Sequence, residues 1–493
     1  TTLSNIERNN EVIKNFKPQL LWEMFCLLSQ VPRGSKKELR VAEIVVSLAT
    51  KAGCVANCDI YGNVVISVSA SPGYQNKELI CLQSHLDMVC EKSPDSAHDF
   101  SVDPIEFLLR EDGNLGANGT TLGADNGIGV ATMLAIMSDQ TIAHGPLELL
   151  FTVDEETGLN GVKKLPLDFI KSKKLINLDS EDWKEFFISS AGGMRTNCKL
   201  PIRFEAKPPD WDKYLEVTVK GLKGGHSGLE INRPHENPIK ILGRVITALC
   251  SDDFAMLSRV NSGNKFNAIP RDATAVFCTS VAYFPTIKRK INRIYNIVKN
   301  EIGSFEPDFQ ITVGVLPNRG MKVISELNQR DLCRVISAIP HGVIRMSADV
   351  VGFVQTSTNL ASIKTTKNSF AFQTMQRGSI DSETLTIVDS INSLFKLAHG
   401  TTSYSGWYPG WKANSDSALL TLAKQVFVSM FGEDPKVKAI HAGLECGVIS
   451  GRFSGMDVLS FGPTIENVHS PDEYVEVETV EDYWNFLLTL LKA

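Results

Sequence analysis

Short apolar segments alternate with amphipathic ones through the first part of the chain, from residue 20 to about residue 182. Apolar residues recur at helical spacing over 39–48, which predicts a helix, and apolar runs at 78–83, 147–153 and 174–178 predict strands. A small, apolar segment at 127–137 predicts a second helix, which Asp125 and Asn126 are placed to cap. This alternation is typical of an α/β fold with a largely parallel central sheet.

A different pattern covers residues 193–400. Predicted strands at 215–219 and 274–280 alternate with a period of two, and the segments between them are amphipathic at helical spacing, which indicates a separate α+β domain. After Gly400 the α/β pattern returns and ends in a helix predicted at 479–491, which Thr479 is placed to cap. We therefore predict one α/β domain, formed by residues 1–192 and 401–493, that is interrupted by an inserted domain.

Composition narrows the possible partners. The chain has 493 residues, 43% of them hydrophobic and 22% charged, which is enough for more than one core. Its net charge of -6 is spread without long blocks of one sign, so neither nucleic acid nor a membrane surface is an expected partner. Ten cysteines without a C-x-x-C pair argue against a disulfide framework and a thiolate zinc site. Because no signal-like N-terminus and no apolar run of about 18 residues is present, we expect a cytoplasmic protein with a small substrate.

Acidic and imidazole residues follow several predicted strands, where open α/β sheets present their binding crevices. His85 and Asp87 are two residues apart after the strand at 78–83, so Asp87 can orient a metal-binding His85. Asp125 lies in the sequence Gly-Ala-Asp-Asn-Gly, where the glycines permit a tight turn and the carboxylate can bridge two cations. Taken singly, each motif is more simply explained by a structural role, the second as a helix cap.

Three consecutive acids, Asp154, Glu155 and Glu156, end a strongly apolar strand. Adjacent like charges repel one another, which favours a cation among them over a solvated acidic turn. Neighbouring side chains diverge, so one glutamate can bind metal while the other acts as a base. With two further residues that follow apolar runs, the mixed nitrogen and oxygen donors that suit zinc are His85, Asp125, Glu156, Asp179 and His469. Two ions would lie about 3.5–4 Å apart if Asp125 bridges them.

These motifs resemble those of the di-zinc aminoacylase and carboxypeptidase clan, and within it those of the aminoacyl-histidine (Xaa-His) dipeptidases, the cytosolic non-specific dipeptidase branch. The resemblance covers nearly the whole chain in the family's order, and its motifs are His85-Leu86-Asp87, Gly123-Ala124-Asp125-Asn126-Gly127, Asp154-Glu155-Glu156-Thr157-Gly158, Asn177-Leu178-Asp179-Ser180, Gly224-Gly225-His226-Ser227-Gly228, His441-Ala442-Gly443-Leu444-Glu445-Cys446-Gly447 and His469-Ser470-Pro471. The sixth motif and the length of the inserted domain favour the dipeptidase branch.

The resemblance implies a di-zinc exopeptidase-type catalytic domain, interrupted by a lid and dimerisation domain at 193–400, that hydrolyses the amide bond of dipeptides. It implies two Zn²⁺ ions, for which Mn²⁺ or Co²⁺ are possible substitutes, and a homodimer formed through the lid. The ligands would be His85 and Asp179 on one ion, Glu156 and His469 on the other, and Asp125 between them. Asp87 would support His85, and Glu155 would be the general base.

The same resemblance assigns residues outside the metal set. His226 of the lid would stabilise the oxyanion, in its own subunit or a neighbour's, after the lid closes. Asn267, Arg377 and Gly443 would contact the substrate, and an arginine fork would match its free carboxylate. The sequence around Arg377 departs from the family's usual Arg-Ser pattern, so a neighbouring arginine is an alternative for that task.

Three other functions fit part of the pattern. An N-acyl-amino-acid deacylase of the same clan would use the same metal chemistry. A serine hydrolase would use Ser227 beside His226, but adjacent residues in a glycine-rich stretch rarely form that hydrogen bond, and the motif is not G-x-S-x-G. A two-lobed binding protein would have no need of a complete ligand set with a base. We therefore expect a dipeptidase.

Overall fold

The computed structural model describes residues 3–318 and 320–493, in which the chain forms two compact units. Unit 1 comprises the chain up to Ser189 together with Trp411–Ala439 and Leu444–Ala493, and unit 2 comprises Ser190–Gly410 and Ile440–Gly443. Unit 2 continues beyond the predicted end at residue 400 because the next strand pairs within its sheet. Residues 1 and 2 of the predicted first domain lie outside the described residues.

The first part of unit 1 carries the elements that end at the candidate site. In chain order its helices and strands are α1 (Asn5–Ile13), α2 (Gln19–Ser29), α3 (Leu39–Lys51), β1 (Val55–Cys58), β2 (Val64–Val68), β3 (Ile80–His85), β4 (Phe107–Leu109), β5 (Leu115–Ala117), α4 (Ala124–Ser138), β6 (Leu147–Thr152), β7 (Lys174–Asn177) and β8 (Glu185–Ser190).

Unit 2 contains a second sheet with helices packed on it. Its elements are β9 (Gly192–Pro201), β10 (Phe204–Glu205), β11 (Lys213–Lys220), β12 (Gly225–His226), α5 (Pro238–Cys250), β13 (Met256–Ser262), β14 (Ala268–Ile269), β15 (Ala273–Thr279), α6 (Phe284–Ile302), β16 (Gln310–Leu316), β17 (Val323–Ile324), α7 (Glu326–Ala338), β18 (Gly342–Met346), β19 (Val354–Thr365), β20 (Ser369–Gly378), α8 (Asp381–Leu397) and β21 (Thr401–Tyr408).

The chain then completes unit 1. The remaining elements are α9 (Ala418–Phe431), β22 (Lys436–Ile440), α10 (Glu445–Arg452), β23 (Asp457–Ser460), β24 (Ile465–Glu466), β25 (Tyr474–Val475) and α11 (Val477–Lys492). Within the described residues, no helix combines the length and the apolar content that crossing a bilayer requires.

The central sheet of unit 1 has eight strands in the order β1-β2-β6-β3-β7-β23-β8-β22. The predicted parallel arrangement is confirmed at its centre, where β6, β3, β7 and β23 are parallel neighbours. The flanking strands β1, β2 and β8 are antiparallel, so the sheet as a whole is mixed. Because parallel strands share a direction, the residues that follow β3, β6 and β7 emerge at one edge.

Helix α4 is buried along nearly its whole length, including both faces of the segment from Ile128 to Met137. It packs against α2, α3 and β3, which explains why its sequence is small and apolar rather than amphipathic. The predicted capping role of Asp125 and Asn126 is wrong: both are non-helical, and no side-chain capping bond forms at the start of α4 within the described residues. Gly123, at a φ of 72°, provides the turn that begins this helix.

Helix α11 begins two residues before the predicted position, at Val477. Thr479 therefore lies inside the first turn, and the prediction that it caps the helix is wrong. Its hydroxyl donates to the carbonyl of Glu476 and accepts the backbone N–H of Thr464, which ties α11 to the loop after the last central strand.

Unit 2 has its own hydrophobic core beneath a nine-stranded, antiparallel sheet. The strand order is β16-β11-β15-β13-β19-β20-β9-β21, with β18 paired to β19. Helix α6 buries Ile287, Ile291, Ile294 and Val298 at helical spacing, and its basic residues Lys288, Arg289 and Arg293 are exposed. The predicted α+β class of this unit is confirmed.

Candidate metal centre

Three parallel strands deliver acidic and imidazole side chains to one edge of the sheet in unit 1. His85 ends β3, Glu155 and Glu156 follow β6, and Asp179 follows β7. The side chains of His85 and Asp179 are nearly buried, and the Nε2 atom of His85 lies 3.3 Å from an oxygen of Asp179. Strand adjacency therefore brings together residues that are far apart in sequence.

Asp125 lies between two groups of ligand-type atoms. Its Oδ1 lies 3.0 Å from Nε2 of His85, and its Oδ2 lies 3.1 Å from Nε2 of His469. The same His469 nitrogen is 3.1 Å from Oε2 of Glu156. The two oxygens of one carboxylate thus face two different histidines, which is the arrangement that a bridging ligand requires.

The backbone around Asp125 holds this position through its neighbour. The side chain of Asn126 accepts the N–H of His85 at 3.0 Å and donates to the carbonyl of Leu178 at 2.7 Å. One amide therefore connects the end of β3 to the residue before Asp179. The predicted helix cap is replaced by a link between two ligand-bearing strands.

Asp87 orients the His85 ring. The Nδ1 atom of His85 lies 3.1 Å from the carbonyl and 3.3 Å from the carboxylate of Asp87, and both are acceptors. Nδ1 is therefore placed to donate to Asp87, and with a metal ion on the other side of the ring Nε2 would be the ligand atom. Burial alone would lower the pKa of His85, but the charge of Asp179 and the bonds to Asp125, Asp179 and Asp87 raise it well above its usual range in the metal-free fold.

The same aspartate also fixes the acidic segment after β6. Its Oδ1 accepts the backbone N–H of Glu155 at 3.1 Å, and its Oδ2 accepts that of Glu156 at 3.2 Å and the hydroxyl of Ser35 at 2.7 Å. Burial alone would raise the pKa of Asp87, but the bond and charge of His85, with the bonds from Ser35 and Glu155, lower it to about 2. Asp87 is therefore a charged, buried support for two candidate ligands and the candidate base.

The donor atoms fit a pair of metal ions. They form one group of His85, Asp125 and Asp179 and another of Asp125, Glu156 and His469, and in each the ligand atoms lie within 4.8 Å of one another. Two ligands of one tetrahedral zinc, each about 2.0–2.2 Å from the metal, lie about 3.3–3.6 Å apart, slightly farther than the 3.0–3.3 Å between these donor atoms. Among the described residues, Oε1 of Glu156 is buried and has no hydrogen-bond partner. An unpaired carboxylate oxygen in this position is available to a cation.

The pKa values of the candidate ligands and base also favour a cation at this site. Bonds to Asp125 and Glu156 raise the pKa of His469 to about 11. Burial raises the pKa of Asp179 to about 7, and it raises that of Glu155 well above its usual range, with the charges of Asp179 and Glu156 adding to the shift. Crowded carboxylates that resist ionisation in this way are the environment in which a divalent cation is most strongly stabilised.

Sequence reasoning missed two acids beside this centre, Glu445 and Glu181. Glu445 begins α10 and is fully buried; its Oε2 accepts from Gln83 at 2.6 Å and from Thr152 at 2.9 Å. Burial raises the pKa of Glu445 to about 7 and that of Glu181 to about 9. Glu445 lies in a quoted family motif, so its position was visible in the sequence, but its contact with β3 and β6 was not.

Unit 2 contains the other predicted site residues. The Nδ1 atom of His226 accepts the backbone N–H groups of Gly228 at 3.1 Å and Leu229 at 3.0 Å. Burial, followed by the charge of Arg377, lowers the pKa of His226 to about 4. At neutral pH the ring is therefore uncharged, and because Nδ1 is an acceptor, Nε2 carries the proton and is a donor.

Arg377 lies in β20 and is almost fully buried. Its guanidinium donates to the hydroxyl of Tyr408 at 2.9 Å and to that of Ser227 at 3.2 Å and 3.3 Å. Ser227 is thus an acceptor for arginine rather than a nucleophile held by a histidine. Its backbone N–H bonds the carbonyl of Asn267 at 2.9 Å, so the segments of His226, Asn267 and Arg377 are neighbours within unit 2.

The segment 440–443, which contains Gly443, also belongs to unit 2. The ring of His441 is 2.7 Å from the hydroxyl of Ser357, and a Cβ built on Gly228 would lie 2.1 Å from the carbonyl of His441. No side chain fits at residue 228, because the segment passes so closely. The segment that contains Gly443 therefore packs against the His226 loop within unit 2, whereas the five candidate metal ligands belong to unit 1.

Comparison with known proteins identifies the class. Residues 81–493 match the model of peptidase family M20/M25/M40, and the chain belongs to this family. It is 37% identical over 481 residues to the cytosol non-specific dipeptidase of Escherichia coli (strain K12), and the aligned region covers 97% of this chain and 98% of that protein.

Solved structures give the same picture. The fold matches the crystal structure of aminoacylhistidine dipeptidase from Vibrio alginolyticus with a TM-score of 0.91 and 36% identity, over 97% of each chain. A tripeptidase from Staphylococcus aureus matches with a TM-score of 0.59 and 15% identity, over 97% of this chain and 98% of that one, and shares the fold. The expected family and fold are thus confirmed.

Proposed function

We propose that this protein is a metal-dependent dipeptidase of broad specificity that accepts Xaa-His substrates and uses Glu155 as its general base. The observation that carries the proposal is the pair of ligand groups that share Asp125, with 3.0 Å and 3.1 Å separating its two oxygens from the two histidines. The similarity to the two dipeptidases over nearly the whole chain supports dipeptides as the substrate class. It favours a dipeptidase over a deacylase.

The residues present fit two Zn²⁺ ions, with His85 and Asp179 as ligands of one, Glu156 and His469 as ligands of the other, and Asp125 between them. When bound, such ions polarise the scissile carbonyl and lower the pKa of water to about 7. Asp87 fixes Nε2 of His85 as the ligand atom, because its two acceptors hold the proton on Nδ1.

Glu155 is suited to move the proton. One of its oxygens lies within 4.8 Å of ligand atoms of His85 and Glu156, and its backbone N–H is held by Asp87. Its raised pKa makes the carboxylate a stronger base, which suits it to accept a proton from the attacking water and deliver it to the leaving amine.

The residues of unit 2 would recognise the substrate. Nε2–H of His226 is an uncharged donor for the developing oxyanion, a contribution typically worth about 3 kcal/mol. Arg377 is held in place by Tyr408 and Ser227 and would bind the free carboxylate as a fork. Asn267 and the backbone of Gly443 would complete the contacts.

We assign unit 2 the role of lid and dimerisation domain, and we infer a cytoplasmic homodimer that binds neither nucleic acid nor membrane. The name of the Escherichia coli relative supports the location. Sedimentation at micromolar concentration tests the assembly: a monomer that is fully active would contradict the dimer.

The function is tested with a substrate panel of Xaa-His dipeptides, β-alanyl-histidine, other dipeptides and N-acetyl amino acids, after chelation and with Zn²⁺, Mn²⁺ or Co²⁺ restored. We expect dipeptide hydrolysis that disappears with chelation and returns with metal. Cleavage of acetylated amino acids without cleavage of dipeptides would replace the proposal with a deacylase. Activity that survives exhaustive chelation would refute the metal mechanism.

A further inference from the structure

The loop that presents Asp125 is held on one side by a single buried carboxylate. Glu473, which is 3% exposed, accepts the backbone N–H groups of Leu122 at 2.7 Å and Gly123 at 2.9 Å through Oε1. Its Oε2 accepts the N–H of Asp125 itself at 3.2 Å. Backbone N–H groups at the start of a helix have no intrahelical acceptor, and Glu473 supplies an acceptor for three of them in this turn.

A buried arginine holds the same loop from the other side. Arg33, which is 2% exposed, donates from Nη2 to the carbonyl of Gly123 at 2.6 Å. Its Nη1 donates to the carbonyls of Leu86 at 2.9 Å and Asp87 at 3.3 Å, in the turn directly after His85. One guanidinium therefore connects the turn after one candidate ligand to the turn before another.

These contacts fix distances between ligands that come from separate elements. His85 ends β3, Asp125 begins α4, and His469 lies four residues before Glu473, so no single element sets their spacing. Arg33 connects the turn after His85 to the turn before Asp125, and Glu473 connects the Asp125 turn to the segment that contains His469. The hydrogen bonds of both residues in this loop go to the backbone, so neither Arg33 nor Glu473 occupies a ligand atom of the three side chains.

We propose that Glu473 and Arg33 are positioning residues that set the metal affinity of the site by holding Asp125 at its bridging distance from His85 and His469. The inference rests on the proposed metal centre. A bridging carboxylate must bind two ions at once. A backbone shift that a ligand of only one ion would tolerate therefore weakens the binding of both ions. Losing a supporting contact of this kind typically costs about 10–100-fold in metal affinity.

The chain supplies a matched control in the same unit. Glu148 in β6 is 5% exposed and likewise accepts backbone N–H groups with both oxygens, from Lys171 at 3.0 Å and 3.1 Å and from Ser172 at 3.0 Å. It holds a turn at the start of β7, the opposite end of that strand from Asp179. Glu148→Gln therefore reproduces the loss of a buried, backbone-bonded charge without touching the metal loop.

The experiment measures Zn²⁺ affinity of the metal-free full-length chain by competition with a chromogenic chelator, and in parallel the thermal unfolding of the metal-free protein. In Glu473→Gln, an NH₂ group replaces one acceptor and faces a backbone N–H. We expect unfolding to shift by a similar amount in Glu473→Gln and Glu148→Gln, and affinity to fall about 10–100-fold in Glu473→Gln alone. Arg33→Lys, whose ammonium cannot span three carbonyls, is expected to weaken binding in the same direction and decides the test if Glu473→Gln does not fold.

The outcomes separate this inference from the function on which it rests. Wild-type affinity in folded Glu473→Gln and Arg33→Lys would overturn the positioning role and leave the dipeptidase proposal intact. Equal losses of affinity in Glu473→Gln and Glu148→Gln would also overturn it, since any buried charge would then have the same effect. A wild-type chain that binds no Zn²⁺ would instead refute the metal centre itself.

Discussion

Replacing Asp87 by asparagine tests how far one buried carboxylate supports the whole centre. In the wild type its two oxygens accept two backbone N–H groups, from Glu155 and Glu156, together with the Ser35 hydroxyl and the His85 ring. Asparagine offers one oxygen and one NH₂ group, so in either orientation a donor faces the N–H of Glu155 or Glu156. One backbone N–H at the site is left unpaired.

Two related arguments give a similar cost. A buried, unsatisfied donor costs about 1–3 kcal/mol. The lowering of the Asp87 pKa from 3.8 to about 2 corresponds to about 2 kcal/mol of preferential stabilisation of its charged form. Because the folded-state pKa is the lower one, this stabilisation is complete above pH 3.8 and is lost as the pH falls toward about 2.

We therefore expect Asp87→Asn to lower the free energy of unfolding by about 2 kcal/mol at pH 7 and to lower kcat at least about tenfold, since the base and a ligand both shift. Urea denaturation of the metal-free protein measures the first quantity, and steady-state hydrolysis of a dipeptide with saturating Zn²⁺ measures the second. Ser35→Ala, which removes one bond and leaves the charge, is expected to lose less than half as much of either. Wild-type stability and kcat in Asp87→Asn would refute the supporting role.

Three further outcomes are expected. Glu155→Gln should lose about 10²–10⁴ in kcat while elemental analysis still finds the metal; loss of metal together with activity would make Glu155 a ligand instead. His226→Ala should lose about 10²–10³ in kcat with unchanged metal content and KM, and an unchanged kcat would remove it from the oxyanion contact. Metal at 100 times its Kd should raise the free energy of unfolding by about 3 kcal/mol over the chelated protein, seen as a higher calorimetric midpoint, and equal midpoints would contradict a structural contribution of the bound ions.

The candidate ligands could be predicted because each stands at a boundary that the sequence marks. Apolar runs that end in an acid or a histidine, as at His85, Glu156 and Asp179, identify strand ends, and parallel neighbours place those ends together. The antiparallel strands β1, β2 and β8 were not predicted. Strand direction depends on chain connections that periodicity does not encode.

The supporting residues could not be predicted for a different reason. Arg33, Glu473 and Glu445 act through several contacts with groups that are distant in sequence. Nothing beside Arg33 or Glu473 in the sequence distinguishes them from exposed charges, and the motif that contains Glu445 does not show its contacts. Only their burial reveals them, because a buried charge must have partners. The capping prediction for Asp125 was wrong because its side chain faces His85 and His469, and that for Thr479 was wrong because α11 begins two residues earlier, at Val477.

A common principle connects these supports. Asp87, Asn126, Glu473 and Arg33 all bond to the backbone beside the candidate ligands, and none of these backbone bonds uses a candidate ligand atom. Had the supports bonded to the carboxylates directly, they would have neutralised the charge that attracts a cation and occupied its coordination positions. Holding the backbone instead keeps the acids close together although they repel one another, and a divalent ion bound among them would offset that repulsion. We therefore expect these backbone contacts to limit how far the loops must move when metal binds.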